Sequence, residues 1–115
     1  MAQPTITYRG MPHSPAMDAR IHELAGRLAE YNDRISAFHV VVDEIDRHKT
    51  KGNLFEVRID LHVPGQEILA TGQQDEDAYV AISRAFQAAQ RQLEESMRKR
   101  RDEARHRHAG GDPPS

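Results

Sequence analysis

Arginines recur at intervals of seven residues in two segments of the chain. They are Arg20, Arg27 and Arg34 in the first segment, and Arg84, Arg91, Arg98 and Arg105 in the second. Seven residues make nearly two turns of an α-helix, so side chains at this spacing lie on one face. Guanidinium groups bind phosphate oxygens through two parallel hydrogen bonds. The spacing therefore indicates two basic helix faces suited to a polyanion such as RNA, and it does not suggest a catalytic pocket.

The alternative interpretation of these arginines is ordinary helix stabilisation by ion pairs. Glu23 precedes Arg27 by four residues, and Glu94 lies between Arg91 and Arg98 at spacings of three and four. Such pairs each stabilise a helix by a few tenths of a kcal/mol, roughly 0.2–0.5. Periodicity alone leaves both interpretations open.

The distribution of charge is uneven along the chain. The net charge of the 115 residues is −2, but residues 84–108 hold eight Lys/Arg and only four Asp/Glu. The remainder carries eight basic and fourteen acidic residues. A basic end on an acidic body favours a polyanionic partner or an interaction tail.

Hydrophobic periodicity predicts four strands and two helices. The strands are expected at residues 5–10, 36–46, 54–63 and 67–72. Ser14 before Pro15 fits the N-cap of a first helix, which ends near Tyr31. Gly26 inside this helix is expected to mark a close packing contact. The acidic residues 75–77 are expected to begin the second helix, because negative charge suits a helix N-terminus.

These elements predict an α+β fold in the order β-α-β-β-β-α, with two helices packed on one face of a four-stranded mixed sheet. This arrangement resembles double-stranded-RNA-binding modules. Strict alternation over 54–63 places apolar residues under the helices and charged residues, including Arg58, toward solvent. Residues 1–100 are expected to form one domain, followed by a basic helix end and a disordered tail at 101–115.

Other kinds of site are poorly supported by the sequence. The chain has no cysteine, no apolar run long enough to span a membrane and no secretory signal pattern, so we expect a cytoplasmic protein. It has neither a glycine-rich phosphate loop nor a nucleophile elbow, and we expect no enzyme activity, cofactor or small-molecule substrate. His39 and His62 are expected to face each other on the open side of the sheet. Without a third ligand, that pair does not predict a metal site.

Three stretches resemble the ribosome hibernation-promoting factor family, also called sigma-54 modulation or ribosome-associated inhibitor proteins. The most specific are "KGNLFEVRIDLHVPG" and the helix "DAYVAI…RQLE", and the likeness extends from residue 5 to about 100. The resemblance implies a protein that binds the small ribosomal subunit in the mRNA and tRNA channel. There it inhibits translation and promotes hibernation under stress or in stationary phase.

The resemblance also implies contacts to ribosomal RNA from basic side chains on both helices and on one loop. The expected RNA-binding residues are Arg20, Arg27 and Arg91 on the helices and Lys49 and Lys51 in the loop, with Arg84 and Arg98 added from the arginine stripe. This chain departs from the family pattern at Ala88, Glu94 and Glu95, where lysine or other basic residues are common. We also expect it to be a short form, without the C-terminal dimerisation domain of longer members.

Two other functions remain open on the sequence. One is a general module that binds structured RNA, which would recognise duplex RNA as well as ribosomes. The other is a regulatory protein that binds another protein and does not bind ribosomes, since a fold alone does not determine function.

Overall fold

The computed structural model describes residues 3–46 and 52–109, with residue 46 and residues 106–109 described by their backbone alone. Within these described residues, six elements occur in the predicted order. They are β1 (Pro4–Arg9), α1 (Pro15–Tyr31), β2 (Ala37–Asp46), β3 (Asn53–Val63), β4 (Gln66–Asp75) and α2 (Ala78–Ala109). The predicted β-α-β-β-β-α order and α+β class are confirmed.

The four strands form one mixed sheet in the order β1-β2-β3-β4. β1 pairs in parallel with β2, and α1 makes the crossover that a parallel pair requires. β2, β3 and β4 pair antiparallel, with a register irregularity in the β3–β4 ladder between Val57 and Ile59. A tight turn at residues 64–65 joins β3 to β4 and sets which side chains face each other across this hairpin.

The hydrophobic core lies between one face of the sheet and both helices. The strand residues Val57, Ile59 and Leu61 are fully buried, as alternation in β3 predicts. Ile21 of α1 and Ile82 of α2 are also fully buried and belong to the same cluster. Complete burial of such side chains contributes roughly 1.5–3 kcal/mol each, which holds both helices on this face.

The start of α1 is tied to β1 by a small polar cluster. The Ser14 hydroxyl accepts a hydrogen bond from the Met17 N–H at 3.2 Å, which confirms Ser14 as the N-cap. The Asp18 carboxylate accepts hydrogen bonds of 2.6 Å from the Tyr8 hydroxyl and from His13 Nε2. The hydrogen bond from Tyr8, with a smaller contribution from His13, lowers the pKa of Asp18 below its usual value despite partial burial. The ionised carboxylate therefore stabilises the fold.

Because the pKa of Asp18 is lower in the folded chain than in the unfolded chain, its contribution is present above about pH 4 and disappears as the pH falls through the folded-state pKa. We expect Asp18→Asn to lower the free energy of unfolding by about 1 kcal/mol at pH 6. The gap from the unsubstituted protein should shrink as the pH falls below about 4. Urea unfolding at pH 6 and at pH 2.5 measures both gaps. Asp102→Asn, on the exposed end of α2, should leave the free energy of unfolding unchanged at both pH values. If Asp18→Asn destabilised the protein equally at pH 6 and pH 2.5, the ionised Asp18 carboxylate would not be the stabilising group.

The expected close packing at Gly26 is wrong. A Cβ atom built on Gly26 has no heavy atom of the described residues within 4 Å, apart from its own helical neighbourhood. The glycine therefore does not mark a close contact between helices or between helix and sheet.

The end of α1 is anchored to α2 by Asn32, a residue that is only 7% exposed. Its backbone N–H donates to the Leu28 carbonyl at 3.0 Å, and its Nδ2 donates to Met97 Sδ at 3.2 Å. Its Oδ1 accepts a hydrogen bond from the Arg34 N–H at 2.8 Å. One buried amide thus ends the helix, fixes the following turn and joins two elements that are far apart in sequence.

The acidic residues at 75–77 do not begin α2, contrary to the sequence-based expectation. β4 continues through Asp75, and α2 starts at Ala78. Asp77 caps this helix, since its Oδ1 accepts from the Tyr79 N–H at 2.9 Å and its carbonyl accepts from the Ala81 N–H at 3.1 Å. Within the described ranges, neither helix combines the length and the apolar composition that crossing a membrane requires.

Candidate nucleic-acid interface

The two helices run in the same direction across the sheet and enclose a surface channel, here called the interhelical groove. Its central part is a cleft of about 370 Å³ with walls of mixed character. Those walls comprise Arg20, Leu24, Arg27, Leu28 and Tyr31 from α1, and Ser83, Phe86, Gln87 and Gln90 from α2. Apolar side chains form the floor, because Leu28 and Phe86 are buried, while the longer polar side chains form the rims.

The groove widens where α1 ends, into a second cleft of about 510 Å³. Arg34 follows α1 on one side of this cleft, and Arg98 and Arg101 of α2 lie on the other. Tyr31 lines both clefts and is 51% exposed. An exposed aromatic ring beside several guanidinium groups can stack a nucleobase while the arginines bind phosphates.

Arg20 and Arg27 converge on one carboxylate. Glu23 accepts a hydrogen bond of 2.8 Å from Arg20 Nη1 and another of 2.8 Å from Arg27 Nη2. The hydrogen bond from Arg20, and then the positive charge of both guanidinium groups, lowers the pKa of Glu23. Exposed pairs of this kind add little to stability, so a phosphate group can replace Glu23 as their partner at small cost.

The structure brings together only some of the residues expected from the sequence. Arg20, Arg27 and Arg98 line the groove. Arg84 instead forms an ion pair with Asp75 at 3.0 Å, and Arg91 is exposed on α2. In the described part of the chain, neither of these two lines the two clefts. Lys49 and Lys51 lie outside the described residues.

The groove also contains residues that the predicted set does not include. Arg34 extends the seven-residue series of α1, so the sequence carried a signal for it. Arg101 lies three residues after Arg98 and reaches the same cleft. Gln87 and Gln90 carried no distinguishing signal, because their role depends on which face of α2 meets α1. Tyr31 follows Leu24 and Leu28 at helical spacing, which indicates the apolar face of α1 and not a contact to a ligand.

The departures from the family pattern have different structural consequences. Ala88 is 4% exposed and packs in the core, so in this chain the position serves packing. Glu94 lines the wider cleft opposite Arg34 and places a negative charge among the arginines. Glu95 is exposed and is not among the residues that line that cleft.

The expected pairing of His39 with His62 is wrong. The β2–β3 register places His39 opposite Asp60 and His62 opposite Ala37. His39 Nε2 lies 3.1 Å from the Thr7 hydroxyl, on the side of the sheet near β1. His62 lies instead beside two carboxylates near the β3–β4 turn.

The fold and the groove define a small α+β protein with a basic channel between two parallel helices. Residues 5–101 match the family described as "Sigma 54 modulation protein / S30EA ribosomal protein", and the chain belongs to this family. The resemblance noted from the sequence is thereby confirmed. A search of curated protein sequences found no match.

Two solved structures share the fold. One is a ribosomal subunit interface protein from Coxiella burnetii, with a TM-score of 0.70 and 22% sequence identity, over 84% of this chain and 98% of that one. The other is the N-terminal domain of Protein Y from Thermus thermophilus, with a TM-score of 0.65 and 22% identity, over 81% of this chain and 96% of that one. At this identity the likeness establishes the fold.

Proposed function

We propose that this protein is a ribosome-associated translation inhibitor of the cytoplasm that binds the small ribosomal subunit and its ribosomal RNA. It occupies the channel that mRNA and tRNA use and promotes ribosome hibernation under stress or in stationary phase. It acts by occlusion, without turnover, and residues 1–100 form the domain that carries most of the binding residues. The basic helix end and tail at 101–115 add attraction for RNA.

The observation that carries this proposal is the arginine-lined interhelical groove. Arg20 and Arg27 lie on its central cleft, and Arg34, Arg98 and Arg101 surround its wider end. Five guanidinium groups along one channel suit a folded RNA backbone, since each can neutralise one phosphate. Membership of the S30EA ribosomal protein family supports the ribosome as the source of that RNA.

Co-sedimentation tests this proposal directly. The purified protein is mixed with small subunits, with whole ribosomes and with a duplex RNA of about 20 base pairs, across a series of salt concentrations. We expect salt-sensitive binding to subunits and ribosomes and much weaker binding to the duplex. Five phosphate contacts predict a slope of about −4 in log K against log salt concentration.

The other two functions predict different outcomes in the same experiment. Equal affinity for the duplex would favour a general module for structured RNA. Failure to bind any of the three would contradict ribosome association and would favour a protein partner. Competition with mRNA and initiator tRNA on the small subunit then tests the channel itself, because occupation of that channel requires mutual exclusion.

Glu94 should weaken RNA binding in the present chain, because its carboxylate lies in the same cleft as Arg34 and Arg98. We expect Glu94→Gln to tighten binding to small subunits about two- to fivefold at ~100 mM salt, since it removes one repulsion at short range. Glu95→Gln makes the same chemical change next to it, on an exposed side chain that is not part of the cleft wall. A titration of labelled protein with subunits compares the two, and an equal gain from both would indicate a general charge effect.

A further inference from the structure

Three side chains capable of binding a metal ion converge on the β3–β4 hairpin. They are Asp60 and His62 of β3 and Glu67 of β4. His62 pairs directly with Glu67 across the hairpin, and Asp60 lies two residues before His62 on the same face of β3. This is the face of the sheet opposite the helices, so the cluster is separate from the interhelical groove.

The spacing of the three ligand atoms fits a tetrahedral metal centre. His62 Nε2 lies 3.4 Å from Asp60 Oδ1 and 3.6 Å from Glu67 Oε2. All three atoms lie within 4.8 Å of one another. Zinc binds histidine nitrogen and carboxylate oxygen at about 2.0–2.2 Å, which places neighbouring ligands of a tetrahedron about 3.4 Å apart. Only small side-chain adjustments would bring all three atoms to bonding distance of one cation.

The protein groups around the cluster leave one of these oxygens without a donor. Asp60 Oδ1 is buried from solvent, yet among the described residues it accepts no hydrogen bond. Its separation from His62 Nε2 exceeds the usual hydrogen-bond length of about 3 Å. A buried carboxylate oxygen without a partner costs free energy, about 1–3 kcal/mol or more, unless a cation, or a proton shared by Asp60 and Glu67, satisfies it. The adjoining Asp60 and Glu67 carboxylates also repel each other when both are ionised, and a cation between them removes this repulsion.

We propose that Asp60, His62 and Glu67 bind a divalent transition-metal ion, with zinc the best match. One imidazole and two carboxylates suit zinc better than magnesium or calcium, which favour oxygen ligands alone. The side chains of His62 and Glu67 are 47% and 49% exposed, so the ion can enter from solvent and retain water as a fourth ligand. Arg58 lies on the same sheet face beside Asp60, and its positive charge limits the affinity for a cation.

The position of this site gives the metal a structural role. The ion would join β3 to β4 beside the turn at 64–65, and this turn supports the basic end of α2. Arg100 Nη1 donates a hydrogen bond of 3.0 Å to the Pro64 carbonyl, and the Ser96 hydroxyl donates to Gln66 Oε1. Zinc binding should therefore stabilise the hairpin on which that part of the helix rests.

Isothermal titration calorimetry with zinc chloride tests the proposal. Every protein in the series carries His106→Ser and His108→Ser, so that these two histidines contribute no binding. We expect one zinc site, with affinity reduced at least tenfold by His62→Ala and by Glu67→Gln. Both side chains are about half exposed, so the variants should fold, and circular dichroism checks this. Amide NMR shifts on zinc addition should centre on residues 60–69.

His22→Ala is the matched control, because His22 is an exposed histidine on α1, away from the hairpin. It should leave zinc affinity unchanged. Absence of zinc binding, or binding that His62→Ala leaves intact, would overturn the proposal. Because the site lies opposite the groove, neither His62→Ala nor Glu67→Gln should abolish ribosome binding in metal-free buffer, so this test stands apart from the proposed function.

Discussion

Replacing Arg20 and Arg27 with glutamate should weaken binding to the small ribosomal subunit by about two to three orders of magnitude at ~100 mM salt. Loss of two phosphate contacts accounts for nearly two orders of magnitude, and the two introduced carboxylates add repulsion. Both arginines lie at the rim of the central cleft, so the substitutions should leave the buried core intact. Sedimentation binding curves measure the loss, and thermal unfolding verifies the fold.

The salt dependence of the same variant is a second readout that a folding defect does not reproduce. Each phosphate contact contributes about −0.7 to −0.9 to the slope of log K against log salt. The slope should therefore become shallower by about 1.4–1.8 when both arginines are replaced. If the substitutions only reduced the fraction of folded protein, fewer molecules would bind, but the slope of log K against log salt concentration would not change.

The matched control reverses two arginines on the opposite face of the sheet. Arg9 and Arg58 are exposed residues of β1 and β3 and lie outside the groove. Arg9→Glu with Arg58→Glu changes the net charge by the same amount and should weaken binding by less than about tenfold, through long-range attraction alone. An equal loss in both double variants would show that total charge, and not the groove, governs binding.

The order and class of the elements could be predicted because local signals agreed. Ser14 and Pro15 marked the start of α1, and alternation in 54–63 matched the buried residues Val57, Ile59 and Leu61. The boundary between β4 and α2 was misplaced because "GQQDED" has no apolar alternation. Acidic residues suit both a helix N-terminus and the cap before it. β4 extends as far as Asp75 because Asp75 pairs with Phe55 of β3. The sequence of the segment alone does not show how far this pairing with another strand continues.

The composition of the groove depended on packing that periodicity does not specify. A seven-residue spacing correctly places Arg84, Arg91 and Arg98 on one exposed side of α2, but it does not say which side faces α1. Packing of the helices turns Gln87 and Gln90 toward α1. Among the described residues of α2, Arg98 is the member of the seven-residue series that lines one of the two clefts. The side of α2 that faces α1 depends on how the helix packs against the sheet and against α1, so it became known only from the structure.

The cluster of Asp60, His62 and Glu67 was not predicted, although the sequence contains the turn that brings these residues together. A two-residue turn at 64–65 pairs residue 63 with 66 and residue 62 with 67, which sets His62 opposite Glu67. The cross-strand neighbour of His62 in this hairpin is therefore a carboxylate and not a second histidine. Hairpin register derived from the turn length would have supplied the third ligand.

Gly10→Ala should destabilise the fold by about 2–4 kcal/mol, more than most single substitutions. Gly10 follows β1 and adopts a φ of 71°, which costs a residue with a Cβ roughly 1–2 kcal/mol. A Cβ at this position would also lie 2.6 Å from the backbone oxygen of Glu44. That oxygen belongs to β2 and is held by the sheet, so it moves only if the β1–β2 pairing is disturbed. Thermal unfolding should show a melting temperature lower by about 10 °C or more.

Gly72→Ala separates backbone strain from the steric clash. Gly72 has a φ of 79°, close to that of Gly10, but no heavy atom of the described residues lies within 4 Å of its ideal Cβ. Its substitution should cost only the strain of the left-handed conformation, about 1–2 kcal/mol. The difference between the two variants then measures the close approach of Gly10, just after β1, to Glu44 of β2. Equal destabilisation of the two variants would mean that the chain after β1 can move away from Glu44, so that this contact does not hold the junction in place.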